Sequence, residues 1–411
     1  MKRDGIYRLL RSKILHKKVH VGIIGVGTIG ELVATSISQS GFLTTGFDIN
    51  LQKINEINKR KNILFRVTDD FSQLSLCEII IICVPTPVTK NKKPDLTYLK
   101  KAIKSILVNA KNYHLVLLES SVNIGATRNI LVQKLYKKTG ITWFIGYSPE
   151  RIDPGNTKYT LSNTPKIISG IDAESLQLTK LFYSLFITSL IQASSLEAAE
   201  ATKLFENTFR LVNISLVHEL SSFARLNGLD MWEIVNLAKT KPFGFLPHYP
   251  SSGIGGHCIP VDPYYLIDDA RRINVRLPIV AESLKRNKKR YREISTLVEK
   301  HFDSQKNNKS ILIIGISYKK NSSDTRESAA LHIGHLLRKK GWDVLYYDPL
   351  VTLLEMKSIS LTRNLIESVA VVLITTAHSV IDFSIFKNTQ TPIIDTTHTL
   401  TYFHNKNIIH I

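Results

Sequence analysis

The chain has 411 residues, of which 43% are apolar and 21% charged, and a formal net charge of +20. That length exceeds one ordinary core and predicts two or three domains of a globular protein. Its longest apolar runs, such as Ile79 to Val84 and Val369 to Ile374, fall far short of the roughly 20 residues that span a bilayer, so no membrane partner is expected.

In chain order, the basic N-terminus has scattered apolar residues and no signal-like apolar stretch, which predicts a cytoplasmic protein. From His20 to about Ile145 short β-rich runs alternate with helical patterns, the mark of a parallel sheet covered on both faces. Strands are expected at Val19 to Ile24, Leu43 to Asp48, Ile79 to Val84, Leu115 to Glu119 and Thr142 to Gly146. From about Ser194 to Lys300 the period changes to that of helices, with Leu204, Val212, Leu216, Leu220 and Phe223 on one long helix and a Pro/Gly loop from Lys241 to Pro263. A helix of that length between two domains is a candidate homodimer surface. After a charged linker around Asp303 to Lys309, further strands are expected at Ser310 to Ile314, Asp343 to Tyr347, Val369 to Thr375, Pro392 to Asp395 and Asn407 to Ile411. The fold class is therefore α/β: two Rossmann-like doubly wound domains, 1–193 and 303–411, joined by a helical middle region, 194–302. The charge itself decides little. Its basic residues lie on helical faces and tails without interleaved aromatics, which disfavours nucleic acid, and a positive field also attracts an anionic substrate.

The first strand runs into VGIIGVGTIG, with Gly25, Gly27 and Gly30 in GxGxxG order. The first glycine permits a tight turn, the second lets a pyrophosphate reach the backbone, and the third lets helix and strand pack. A helix N-terminus then faces the phosphates. Asp48 ends the second strand, where a carboxylate can bind both ribose hydroxyls and would repel a 2′-phosphate, so the expected cofactor is NAD. The three cysteines show no metal-ligand spacing, and no metal is expected. The second α/β region lacks a GxGxxG after its first strand.

Further motifs carry a resemblance. Val84, Pro85, Thr86 and Pro87 form VPTP, followed by Pro94-Asp95-Leu96; LESSVNIGAT holds Glu119, Ser120 and Ser121; YSPERIDPGN holds Glu150; ATKLFENTFRLVN holds Lys203 and Asn207; SGIGGHCIPVDPYYL holds Cys258 and Asp262; GISYKKNSSDTRES holds Lys319, Asp324 and Arg326. In this order the chain resembles the UDP-glucose/GDP-mannose dehydrogenase family, over nearly its whole length. The resemblance implies NAD-dependent oxidation of the C6 alcohol of a UDP-sugar to a carboxylate. SPERIDPGN, TKPFGF and GGHCIPVDP look more like the branch acting on UDP-N-acetylhexosamines, UDP-N-acetylglucosamine above all, than the UDP-glucose branch; GDP-mannose comes third. Thr28 and Ile29 with the glycines, then Val84, Pro85, Thr86, Ser121 and Arg326, would meet the cofactor. Arg151, Arg210, Phe243, Tyr249, Gly253, Gly255, Gly256, His257 and Lys319 would meet the substrate, the glycines through backbone N–H groups facing its diphosphate.

The chemistry of these residues agrees. Making an acid from an alcohol takes two hydride transfers and one water without losing the aldehyde. A thiolate at Cys258 would trap that aldehyde as a thiohemiacetal, whose oxidation gives a hydrolysable thioester. The plain alternative is a buried structural cysteine. Lys203 and Asn207, at i and i+4, share a helix face and can stabilise alkoxide and oxyanion or take the alcohol proton, although a solvated Lys and Asn would look the same. Glu150 and Asp262 are candidates for handling protons on the hydrolytic water, with Ser121 positioning it; Glu150 could instead cap a turn. The chain departs from the family at Thr28, Glu31, Ser251-Ser252, Asn321 and Thr397, and its passage from Asn55 to Asp70 is short. Two rivals are a UDP-sugar binding homologue without turnover and a smaller β-hydroxyacid dehydrogenase, which needs neither Cys258 nor a C-terminal α/β domain.

Overall fold

Eight strands build the first sheet: β1 (His20–Ile24), β2 (Leu43–Phe47), β3 (Phe65–Thr68), β4 (Ile79–Ile82), β5 (Tyr113–Leu118), β6 (Thr142–Tyr147), β7 (Lys166–Gly170) and β8 (Leu190–Gln192). The computed structural model describes residues 2–60, 62–153, 156, 158–301, 309–351, 357–403 and 405–411. The strand order is β3-β2-β1-β4-β5-β6-β7-β8, parallel throughout except for β6 against β7. Its register runs from His20 opposite Leu43 and Val21 opposite Ile79. All four residues of β4 are isoleucines and all are buried, as a central parallel strand covered on both faces requires. Ile79 and Ile81 join one apolar cluster with Val21, Leu115 and Leu117, whereas Ile80 and Ile82 join another with Val116 and Leu118.

Six strands build the second sheet: β9 (Ser310–Ile314), β10 (Asp343–Tyr347), β11 (Lys357–Ser358), β12 (Val371–Ile374), β13 (Ile393–Asp395) and β14 (Ile408–His410), ordered β11-β10-β9-β12-β13-β14 and all parallel. Both sheets thus reverse direction between their first and fourth strands, the point at which ligands bind in doubly wound folds. Between the sheets the chain is helical, at Leu196–Leu226, Met231–Ala238, Asp262–Arg272 and Pro278–Lys300. The chain divides into two compact units, Met1–Glu206 with Tyr264–Asn274, and Asn207–Pro263 with Val275–Ile411. Among the described residues no helix is long and apolar enough to cross a membrane.

The expected strands are present, shifted at their ends by one or two residues. Most of the expected linker, Asp303 to Asn308, lies outside the described residues. Among the described residues four strands, and the helices Arg3–Leu15 and Ala173–Ser184, went unforeseen. The helix Arg3–Leu15 buries Ile6, Leu10 and Ile14, one per turn, and Arg3 pairs with Asp172 and, at 2.6 Å, with Glu174. The short Asn55 to Asp70 passage still adds β3 to the sheet edge, with Thr44 opposite Phe65. Glu31, one of the departures from the family pattern, ion-pairs with Arg60 and lies 3.7 Å from Lys53.

Candidate active site

The glycine turn after β1 separates three physical requirements. Gly25 has φ +90°, and a Cβ there would sit 2.9 Å from the Cys83 carbonyl oxygen at the end of β4. A Cβ on Gly30 would lie 2.0 Å from the Gly25 carbonyl, so this glycine is needed for helix and turn to touch. A Cβ on Gly27 would meet nothing within 4 Å among the described residues, and its φ of −67° suits any residue. The space over Gly27 is therefore not filled by protein, at the N-terminus of the helix Thr28–Gln39, which no side chain caps. Its first N–H groups and the partial positive charge of the helix are left to face an anion. Asp48 follows β2, accepting Val26 N–H at 2.9 Å and Asn50 N–H at 3.0 Å through different oxygens. Turn, open cradle and carboxylate fit a dinucleotide.

Beside this turn, the loops after β4, β5 and β6 are tied together from below. Ser120 Oγ donates to the Val84 carbonyl at 2.7 Å, and the buried Tyr265 hydroxyl donates to the carbonyls of Thr86 (3.0 Å) and Pro87 (3.2 Å). Ser121 is half-buried on the same loop. Glu150 is buried; its Oε1 accepts the N–H groups of Arg151 (2.7 Å) and Ile152 (2.8 Å), and its Oε2 accepts the Lys166 ammonium at 2.7 Å. Lys166 also lies 3.1 Å from Glu119, which accepts the Tyr183 hydroxyl at 2.5 Å and the Cys83 thiol at 3.5 Å. Lys203 donates to the Glu150 carbonyl at 2.6 Å. Arg151 turns to Glu206 (2.5 Å) and the Pro165 carbonyl (2.7 Å). Burial opposes charge on both carboxyls, yet Lys166 and the two N–H groups bring Glu150 below its ordinary range, whereas Glu119 ends above it.

The second unit holds the thiol. Asn207 is buried on the long helix and its Nδ2 donates to Asp262 Oδ2 at 2.6 Å; the Asp262 N–H in turn donates to the Cys258 carbonyl at 2.8 Å. Cys258 is a half-buried cysteine outside any disulfide. The Arg326 guanidinium is raised first by its pairing with Asp324, at 2.5 Å, and then, after burial acts against it, by charge on residues that include Cys258. The backbone of Arg326 is tied to the same loop, its carbonyl accepting the Gly256 N–H at 3.0 Å.

Two of the three glycines expected to cradle a diphosphate have their N–H groups taken within the protein. Gly253 N–H donates to Ser251 Oγ at 3.3 Å and Gly256 N–H to the Arg326 carbonyl at 3.0 Å, so both are already engaged. Side chains are excluded there by close packing: a Cβ on Gly253 would lie 2.3 Å from the Tyr291 ring, and one on Gly255 would lie 2.8 Å from Tyr318 Cβ. Tyr249 is likewise occupied, stacked on Trp232 with ring centres 4.6 Å apart and donating to Asn236 at 2.9 Å. Arg210 and Phe243 are exposed, and Lys319 and His257 are half-buried.

Several supports escaped the reading of motifs. Asn287 brackets Ile254, accepting its N–H at 2.8 Å and donating to its carbonyl at 3.0 Å, and the Tyr291 hydroxyl joins it at 2.9 Å. Their i, i+4 spacing is a visible signal of one face. Glu200 accepts Gly125 N–H (2.5 Å) and Thr127 N–H (2.8 Å), and Asp269 accepts Ile124 N–H (2.8 Å). Lys166 and the strand it opens escaped that reading altogether.

A dinucleotide turn, a doubly wound sheet and a separate cysteine loop define an NAD-dependent oxidoreductase. Family models for the NAD binding, central and UDP binding domains of the UDP-glucose/GDP-mannose dehydrogenase family match residues 59–187, 197–289 and 312–402. The chain belongs to that family. It is 33% identical over 353 residues to the UDP-N-acetyl-D-mannosamine dehydrogenase of Methanocaldococcus jannaschii, covering 79% of this chain and 78% of the relative. It is 32% identical to a UDP-N-acetyl-D-glucosamine 6-dehydrogenase of Pseudomonas aeruginosa, covering 82% and 84%. Among solved structures, the UDP-D-ManNAc dehydrogenase of Pyrococcus horikoshii superposes with a TM-score of 0.82 at 28% identity, over 92% of this chain and 95% of that one.

Proposed function

We propose that this chain oxidises the C6 alcohol of a UDP-N-acetylhexosamine, UDP-N-acetylglucosamine foremost, to the uronic acid, with Cys258 as covalent nucleophile. The observation that carries it is the hydrogen-bonded line from Asn207 through Asp262 to the Cys258 backbone, which fixes a thiol in a glycine loop that the Arg326 carbonyl also holds. The names of the relatives, which act on UDP-N-acetylmannosamine and UDP-N-acetylglucosamine, support an N-acetylhexosamine over UDP-glucose. NAD, when bound along Gly25, Gly27, Thr28, Ile29, Gly30 and Asp48, supplies the hydride acceptor for both oxidations. Lys203 and Asn207 stabilise the developing oxyanions and the alcohol proton leaves to a neighbouring base. The aldehyde is captured by the thiolate as a thiohemiacetal; after the second oxidation, water held by Ser121, with Glu150 and Asp262 handling its protons, cleaves the thioester. The balance is one alcohol, one water and two NAD⁺ giving one carboxylate, two NADH and three protons.

We read 1–193 as the NAD lobe, 194–302 as the central segment and 303–411 as the UDP lobe, with Lys319 toward the nucleotide. The long helix leaves Phe205, Phe209, Leu216, Leu220, Phe223 and Leu226 exposed at spacings of three, four and seven, a stripe suited to a second copy of the chain. The test is NADH formation over a panel of UDP-sugars. Two NADH per N-acetylhexosamine with wild type, and no sustained turnover with Cys258→Ala, are expected. Equal steady rates for both proteins would remove the covalent route, and no NADH with any sugar would favour a binding homologue.

A further inference from the structure

The buried cluster behind Glu150 is larger than a turn-capping carboxylate needs. One ammonium, Lys166, is shared by two carboxylates at 2.7 Å and 3.1 Å, and both it and Glu119 are almost wholly inaccessible. Burying an ion pair gives little net stability over apolar packing of the same volume, and burying a second carboxylate on the same cation is costlier still. The cluster also sits where loops meet. Cys83 leads into Val84-Pro85-Thr86, Glu119 into Ser120-Ser121, and Glu150 into Arg151, so Lys166 at the start of β7 joins the carboxyl ends of β4, β5 and β6. Ligands of open α/β sheets bind beyond those ends.

We propose that Lys166 and Glu119 are positioning residues for Glu150, fixing the direction of its carboxylate and setting its charge during thioester hydrolysis. This rests on the reading of Glu150 as a proton-handling group. The charges around Glu150 support it. Arg151 contributes its N–H to the carboxylate, but its guanidinium is turned to Glu206 and the Pro165 carbonyl; Lys203 holds the Glu150 carbonyl and not its carboxylate. Among the described residues Lys166 is therefore the cation that touches the Glu150 carboxylate. Glu119 faces Lys166 together with the neutral Tyr183 hydroxyl and Cys83 thiol. Its negative charge opposes that of Glu150, and burial plus this repulsion raises Glu119 while Lys166 holds Glu150 low. A proton arriving at the cluster goes first to Glu119, leaving Glu150 ionised as a base for water.

A limb that follows the charge at Lys166 is the signature. The acid limb of the kcat profile for the proposed oxidation reports Glu150. Lys166→Met removes the stabilising cation and should move that limb up by about one pH unit or more, with roughly tenfold loss of rate on its acid side. Lys166→Arg should restore the limb. Glu119→Gln copies the neutral form that Glu119 already has where Glu150 titrates, so it should leave the limb in place. A purely structural role lowers kcat or thermal stability without a limb that rises in Lys166→Met and returns in Lys166→Arg. If Lys166→Met fails to fold, Lys166→Gln removes the same charge and decides, and an unmoved limb in that folded protein, or a moved one in Glu119→Gln, overturns the proposal. Glu150→Gln separates the two ideas. If it is inactive while the limbs of the other variants stay put, only the positioning role fails; if it turns over with the wild-type profile, the Glu150 assignment fails and this role with it.

Discussion

Gly27→Ala should abolish tight NAD binding while leaving the free protein intact. In the free chain the new methyl meets nothing within 4 Å, and the backbone at φ −67°, ψ −170° is ordinary for alanine. An N-cap Ala in place of Gly costs a few tenths of a kcal/mol to about 1 kcal/mol, and the stiffer unfolded chain returns about 0.4–1 kcal/mol, so stability should stay within about 0.5 kcal/mol. With NAD the methyl occupies the surface that the pyrophosphate must reach. Losing one charge-assisted N–H bond removes about 2–3 kcal/mol, or roughly 30- to 150-fold in Kd. Gly30→Ala is the contrasting control. Its methyl would overlap the Gly25 carbonyl at 2.0 Å, so it should destabilise the free protein by about 1–3 kcal/mol or more and lower its melting temperature before any ligand is added. Calorimetric titration with NAD, paired with thermal melts of the free proteins, reads both quantities. Wild-type affinity in Gly27→Ala would refute the claim that this helix end holds the pyrophosphate.

Three further outcomes follow from other parts of the chain. Burial raises Glu200 from 4.5 to about 7 even though it accepts two backbone N–H groups. A raised acid binds its proton more tightly folded than unfolded, so its contribution is present below pH 4.5 and is lost as pH rises through about 7. That loss amounts to about 3 kcal/mol. Glu200→Gln should therefore gain on wild type by up to that amount between pH 5 and pH 8 in denaturant unfolding, and parallel pH curves would refute it. Gly255→Ala puts a methyl 2.8 Å from Tyr318 Cβ and 2.9 Å from the Glu327 carbonyl, neither of which can swing away. It should cut kcat more than about tenfold with unchanged circular dichroism, since loops misplaced by about 1 Å lose that much or more. Leu216→Glu places a charge in the exposed stripe of the long helix and should halve the mass seen by sedimentation; an unaltered mass would exclude that face from the interface.

What was legible in the sequence was whatever depends on neighbours along the chain. Strand β4, four isoleucines deep, and the GxGxxG turn each announce themselves within a few residues, and β9 and β10 fall where alternation places them. The helix Arg3–Leu15 was hidden because its buried Ile6, Leu10 and Ile14 are outnumbered by Lys and Arg on the wet face. Strands β3 and β7 are four and five residues long, and each carries a cation that breaks the apolar run. The site divides the same way. Motifs exposed Cys258, Asp262 and Glu150, but the partner of Glu150 is 16 residues away on another strand, a distance that no period reveals. The glycines around Cys258 were visible, and their reason was not, because Tyr291 and Tyr318 approach them only in the fold.

The two sheets show why one topology can hold different ligands. Each has a glycine turn after its first strand and an aspartate after its second: Gly25 with Asp48, Gly315 with Asp348. Both aspartates accept N–H groups from the turn, at Val26 in one case and at Ile316 and Ser317 in the other. Asp48 stays half-buried, accepting one N–H on each oxygen. Asp348 is 3% exposed and accepts four backbone N–H groups, from Ile316, Ser317, Leu350 and Val351, while His378 closes over it at 3.1 Å. A carboxylate so enclosed has no lone pair left to offer a ribose, and after Gly315 the turn continues Ile316-Ser317 without further glycines. The second lobe therefore cannot grip a dinucleotide as the first does. Its nucleotide must be recognised by other groups along the same strand ends, which fits a UDP binding domain built on the frame of an NAD binding one.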